Sequence, residues 1–188
     1  GGEERSPVWS PDSARVAFLA PRDPAITYSQ EEVFVVALPA AASAASEPPQ
    51  PQRLTQNFLG AIQRLHWPKG NSLYFAAAVR TESMLFALDA ASGAVAPASP
   101  EKWHLTDADW TADGATCVAF AEGPQALPEL VVLRPASAMI EPQKLTDLNP
   151  QLAAFALGAQ EVVRWKSKDG LEIEGIVTKP VGWAATRK

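Results

Sequence analysis

The chain has 188 residues, of which 47% are apolar and 20% charged, and it carries a net charge of −5. Its Lys and Arg residues are scattered rather than gathered into a stripe, which together with the acidic balance argues against a nucleic-acid surface. No apolar run is long enough to span a bilayer. The single cysteine, Cys117, excludes an internal disulfide and any multi-cysteine metal site. Because it lies inside a predicted strand, it is expected to be a small buried apolar residue. A compact body of this length buries about 70% of the surface its unfolded chain exposes. No leader is recognisable, but a chain that opens Gly-Gly rather than Met leaves the compartment open, with a soluble, cytoplasmic setting as the expectation.

In chain order, the first element is the cassette SPVWSPDSARVAFLA (6–20), which reads as two short strands around a polar turn. Pro11, Asp12 and Ser13 supply the turn, since proline presets its φ and the Asp side chain bonds nearby backbone. Arg15 to Leu19 return as a strand of β-branched and aromatic types. The strand EVFVVALP (32–39) follows, then AAASAASEPPQP (40–51), whose Ala/Ser/Pro composition packs poorly and predicts a mobile surface loop, and then QRLT (52–55).

The pattern recurs twice. IQRLHWPKGNSLYFAAA (62–78) repeats approach strand, Trp, turn and return, and leads to SMLFALDAASG (83–93); LTDADWTADGATCVAFAEG (105–123) does the same with an Asp113-Gly114 turn and leads to ELVVLRP (129–135) and QKLT (143–146). Trp9 and Trp67 are 58 positions apart and Trp67 and Trp110 are 43 apart, near the roughly 40–50 residue period of propeller blades; the 40–51 insertion accounts for the longer interval. The prediction is an all-β partial β-propeller of about three four-stranded blades over residues 1–146. In it Trp9, Trp67 and Trp110 fill the space between neighbouring blades. Closed propellers use roughly 4–8 blades, so three leave faces that the remainder of a parent chain or self-association must cover.

After QKLT the repetition fails. DLNPQLAAFALG (147–158) reads as a connector with a short apolar, helix-compatible middle, giving a linker over 147–159. From 160 a hairpin follows, with strands EVVRWKS and LEIEGIVTKP around a Lys168-Asp169-Gly170 turn; Leu171, Ile173 and Ile176 are expected to alternate with Glu172 and Glu174. The return strand has no aromatic and no outer strand after it, so residues 160–188 read as the start of a different module. Trp103 and Trp183 fall outside the pattern.

The WSPDS-type cassettes, the LTDLNP connector and VVRWKSKDGLEIEGIVTKP (162–180) together resemble the end of the β-propeller and the junction to the α/β-hydrolase domain in the prolyl oligopeptidase family of serine peptidases, which includes acylaminoacyl and dipeptidyl peptidases. The cassettes alone also resemble TolB-like propellers, so a protein-binding module is the alternative; a homologue lacking its nucleophile is a third. The resemblance implies a parent that hydrolyses peptides with a Ser-Asp-His triad, the serine in a G-x-S-x-G elbow. It slightly favours the acylaminoacyl branch.

No G-x-S-x-G and no HGG-type oxyanion motif occurs here, so no catalytic residue is assigned, the segment alone is expected to be inactive, and its expected role is to gate or position substrate. No metal site and no cofactor are expected, and the substrate-binding residues are left open. His66 and His104, each beside or near a tryptophan in an approach strand, are expected to be hydrogen-bonded structural histidines. Glu31-Glu32 resembles the glutamate pair with which dipeptidyl peptidases hold a substrate ammonium, but it runs straight into an outer strand and is read as a solvated strand start. Glu3-Glu4, four residues before the first Trp-Ser-Pro, are read the same way. Arg22, Asp23 and Tyr28 are candidates for a propeller mouth, with an ordinary polar loop as the expected reading.

Overall fold

The computed structural model describes residues 3–39, 48–101, 103–134 and 141–184. The 40–51 insertion falls mostly outside them. Three antiparallel sheets of four strands each are laid down in simple chain order, followed by a two-stranded sheet. The first sheet is β1 (Arg5–Trp9), β2 (Arg15–Pro21), β3 (Glu31–Ala37) and β4 (Gln52–Arg53). The second is β5 (Ala61–Lys69), β6 (Ser72–Val79), β7 (Glu82–Asp89) and β8 (Val95–Pro97). The third is β9 (His104–Trp110), β10 (Cys117–Gly123), β11 (Ala126–Leu133) and β12 (Gln143–Lys144). A 3-10 turn, η1 (Pro150–Ala154), occupies the connector, and β13 (Gln160–Lys166) pairs with β14 (Glu172–Thr178). Among the described residues there is no α-helix.

The first turns of the first and third sheets are built by their side chains. In the first sheet the Ser10 hydroxyl donates to Asp12 and accepts the Arg15 N–H at 2.8 Å, while Ser13 takes the left-handed conformation. In the third, Thr111 bonds Asp113 at 2.6 Å and accepts the Thr116 N–H at 3.1 Å, with Gly114 in the left-handed position. The β13–β14 turn uses the same device, with Ser167 donating to Asp169 and Gly170 left-handed. These are Asx-type turns that need only a local Ser/Thr-x-Asp arrangement.

The Leu-Thr endings have a structural reason. The Thr55 hydroxyl accepts the Val33 N–H and that of Thr146 accepts the Leu130 N–H, each at 2.9 Å, which satisfies the third strand where the short fourth strand ends. The second sheet does the same with Ser99, which accepts the Leu85 N–H at 3.0 Å. Both this Ala98-Ser99 version and β8 escaped the sequence reading.

The sheets stack face to face through two apolar layers. Ala17, Leu19, Val33 and Val35 of the first sheet meet Leu65, Trp67, Leu73, Phe75 and Phe86 of the second. The opposite face of the second sheet, with Ala76 and Leu85, meets Leu105, Cys117, Ala119 and Val131 of the third. Trp67 and Trp110 therefore each face the preceding sheet. Trp67 is buried against the first, and Trp110 stacks on Tyr74 of the second at 5.1 Å between ring centroids. Trp9 departs from the expectation: it lies level with Val16 on the face turned away from the second sheet and is 60% exposed. Phe18 and Phe34 stack on that same uncovered face.

In the terminal hairpin, strict alternation puts Ile176 on the face of Glu172 and Glu174, not that of Ile173, and Leu171 precedes the strand. Trp165 lies over Gly175, where an added Cβ would meet the indole at 3.1 Å. The two unassigned tryptophans also find places. Trp103 packs beside the second apolar layer and donates to Glu141 at 2.7 Å, and the Trp183 ring lies under the Lys179 ammonium at 4.6 Å.

Candidate functional site

Antiparallel order places the β2–β3, β6–β7 and β10–β11 turns on one edge of the stack, and the terminal hairpin lies on that edge. Glu174 of β14 is the main tie. Its carboxylate accepts from Thr81 in the β6–β7 turn at 3.3 Å, pairs with Arg80 at 3.4 Å, and is held by Arg164 across the hairpin. The Arg164 hydrogen bond leads in holding this carboxyl below the usual range, with Thr81 and Arg80 adding to it. At the β10–β11 turn the Gln125 amide donates to the Gly158 carbonyl at 3.2 Å. Gly158 admits no side chain, because a Cβ there would fall 2.1 Å from the Lys179 carbonyl oxygen.

Between the hairpin and the second and third sheets lies a cavity of about 310 Å³, lined by Glu82, His104, Glu122, Glu161, Val162 and Ile176. His104 sits 3.4 Å from Glu122, and burial raises the Glu82 carboxyl above its ordinary value. Among the described residues no group of three or more His, Cys, Asp or Glu side chains is arranged to hold a metal ion.

The first sheet contributes to this edge differently. Where the second sheet turns tightly at Arg80-Thr81, residues 22–30 form a long loop. Backbone bonds from Arg22 to Gln30, from Ile26 to Asp23 and from Ser29 to Ile26 close it. The Asp23 N–H donates to the Ser29 hydroxyl, and the Gln30 amide donates to the Phe58 and Gly60 carbonyls at 2.9 Å each, fixing the loop to the β4–β5 connection. Tyr28 stands 95% exposed at its crest. The loop is thus hydrogen-bonded both within itself and to the β4–β5 connection.

The other candidates separate. Glu31 and Glu32 are neighbours on a strand and point to opposite faces. Glu31 pairs with Arg5 outside, while Glu32 is fully buried and bridges Arg22 and Arg53. The reading of the pair as a solvated strand start is therefore wrong for Glu32, and the two carboxylates do not converge on one ligand. Burial pushes the Glu32 carboxyl up, but hydrogen bonds from Arg53 and Arg22 more than offset it and leave it below the usual range. Glu3 and Glu4 are exposed ahead of β1. His66 lies 3.3 Å from Asp109 and against Trp110, and burial lowers its pKa below the ordinary histidine value. Cys117 is fully buried, which pushes its thiol up to about 12.

Solved structures similar to this chain are peptidases of the prolyl oligopeptidase family. The AtxE2 isopeptidase matches with TM-score 0.69 and 16% identity over 95% of this chain and 26% of its own. Porphyromonas gingivalis dipeptidyl peptidase 4 matches at 0.65 and 14% over 95% of this chain and 24% of its own. Pyrococcus horikoshii acylaminoacyl peptidase matches at 0.63 and 17% over 90% of this chain and 24% of its own. The chain spans about a quarter of the length of these structures and shares their fold over that span. No protein-family profile and no curated protein sequence matches it.

Proposed function

We propose that this chain is the propeller-to-hydrolase junction of a serine peptidase of the prolyl oligopeptidase type, and that it gates or positions peptide substrate for catalytic residues lying outside it. In this reading residues 1–146 are three blades of a propeller, 147–159 a linker and 160–188 the first hairpin of the hydrolase domain. The observation that carries it is the terminal hairpin, which follows the third sheet after the 147–159 connector and ties onto the β6–β7 turn through Glu174. The match to peptidases spans both sheets and hairpin, covering 90–95% of the chain. The uncovered outer faces of the first and third sheets, with Trp9 and Phe120 exposed, are then the surfaces on which the rest of the parent's propeller packs.

The test is made on the full-length protein. Its sequence beyond Lys188 is expected to carry an HGG-type segment and then G-x-S-x-G, and a fluorophosphonate probe is expected to label that serine. Further four-strand repeats in place of a hydrolase would instead make the chain part of a TolB-like binding module. A conserved hydrolase without labelling would make it a homologue that has lost its nucleophile.

A further inference from the structure

The edge that bears the hairpin carries a second concavity, separate from the cavity beneath the hairpin. It is a trough of about 630 Å³ between the first and second sheets, walled by Tyr28 and Glu31 on one side and by Leu59, Ile62 and Arg80 on the other, with Arg5 at its end. Its volume lies in the range of small-ligand sites, roughly 300–1,000 Å³. We propose that this trough is a subsite for the substrate peptide of the peptidase reading, on which the inference rests, and that Tyr28 and Leu59 pack against a substrate residue remote from the bond that is cut.

Three observations point to a peptide here. Tyr28 on the 22–30 loop and Leu59 on the β4–β5 connection are 95% and 74% exposed, and the Gln30 amide ties the two segments together through the Phe58 and Gly60 carbonyls. Aromatic side chains presented on a rigid support give contact area at low ordering cost, as recognition surfaces require. The charges around the trough are balanced within the chain: Arg5 pairs with Glu31, and Arg80 shares Glu172 and Glu174. A neutral segment combining apolar side chains with backbone amides and carbonyls fits that lining better than a charged small molecule.

Placement gives the third observation. Arg80 touches both the trough and the hairpin carboxylates, so the trough opens on the side to which the hairpin is tied. In the proposed subsite a long peptide bound along this edge reaches Tyr28, whereas a dipeptide-sized substrate does not extend so far.

The experiment uses the full-length protein and a series of peptides of increasing length with one scissile residue. Tyr28→Ala and, separately, Leu59→Ser are compared with wild type, with Tyr28→Phe as the conservative control. For the longer peptides Tyr28→Ala is expected to lower kcat/KM about tenfold, the loss of one aromatic contact, mainly through KM. The shortest substrates are expected to be unaffected, and Tyr28→Phe to retain most activity at every length. Equal losses for short and long peptides would mean that Tyr28 packs on the catalytic domain and would overturn the subsite. No loss at any length would overturn it too. Fluorophosphonate labelling separates the levels: labelling without a length-dependent effect refutes the subsite alone, and absence of labelling refutes the peptidase reading and the subsite with it.

Discussion

Trp9 and Trp67 occupy the same place in successive sheets, yet Trp9 is 60% exposed and Trp67 is 6% exposed. That difference is roughly half the surface of a tryptophan, about 100 Å², which at ~25 cal/mol per Å² corresponds to about 2.5 kcal/mol of burial. Trp67→Ala removes a buried indole from the layer between two sheets, and it is expected to cost ~3–5 kcal/mol. If a preceding blade of the parent covers Val16, Phe18 and Phe34, then Trp9 is buried in the full-length protein as Trp67 is here. Trp9→Ala then costs a comparable amount. The assay is urea unfolding of the full-length protein and both variants, followed by fluorescence of the remaining tryptophans. A Trp9→Ala midpoint corresponding to a change within about 0.5 kcal/mol of wild type, as for ordinary surface substitutions, alongside a severely destabilised Trp67→Ala, would refute the covered face and with it the propeller assignment.

Residues 1–188 expressed alone are expected to self-associate, because two sheet faces lack partners; a monomer by light scattering with a cooperative melt would count against this. Thr55→Val keeps the side-chain volume but leaves the buried Val33 N–H unpaired, an expected loss of ~1–3 kcal/mol in denaturant unfolding, and Thr55→Ser should recover most of it. His66 has a folded pKa below its unfolded value, so the unfolded chain takes up the proton first. Stability is therefore full above about pH 6.5 and falls as pH drops below it toward the folded pKa, and His66→Gln should flatten that part of the melting profile. Cys117, buried and with its thiol pushed up to about 12, should resist iodoacetamide at pH 8 in the native protein and react fully in urea; rapid native labelling would contradict its place in the second apolar layer.

Strands and turns were legible in the sequence because their causes are local. The turns show in Asp12, in Asp113-Gly114 and in Asp169-Gly170, while the hydroxyls of Ser10, Thr111 and Ser167 that bond those carboxylates emerge only in the structure. Alternation similarly marks β2, β6 and β10, although it was misread in β14, where Ile176 was assigned to the wrong face. Burial of particular side chains is a different kind of fact. Glu32 looks solvated as a letter in a sequence, and its burial follows from Arg22 and Arg53 closing over it from a neighbouring strand and a loop. Trp9 looks like Trp67, and only the order of the sheets reveals that one has a neighbour to pack against. Ser99 does the work of a Thr without the Leu-Thr signature, because the hydrogen bond requires a hydroxyl and not a particular dipeptide.

The same distinction explains why the candidate site was the least legible part. A repeat makes each sheet interchangeable with its neighbours, so function resides where the repetition is broken. Two breaks fall on one edge: the loop 22–30 in place of a tight turn, and the hairpin tied to Arg80 and Thr81. The third break, 40–51, falls between Ala37 at the end of β3 and Gln52 at the start of β4, and those flanking residues lie at the opposite edge. Composition made that insertion the most conspicuous departure in the sequence, whereas Arg22 to Gln30 passes for an unremarkable polar connection. Strand direction sets the 22–30 loop on the hairpin's edge and the flanks of the Ala/Ser/Pro segment, Ala37 and Gln52, on the other, so the parity of the turn from which a loop springs, and not its length or composition, decides which edge it shares.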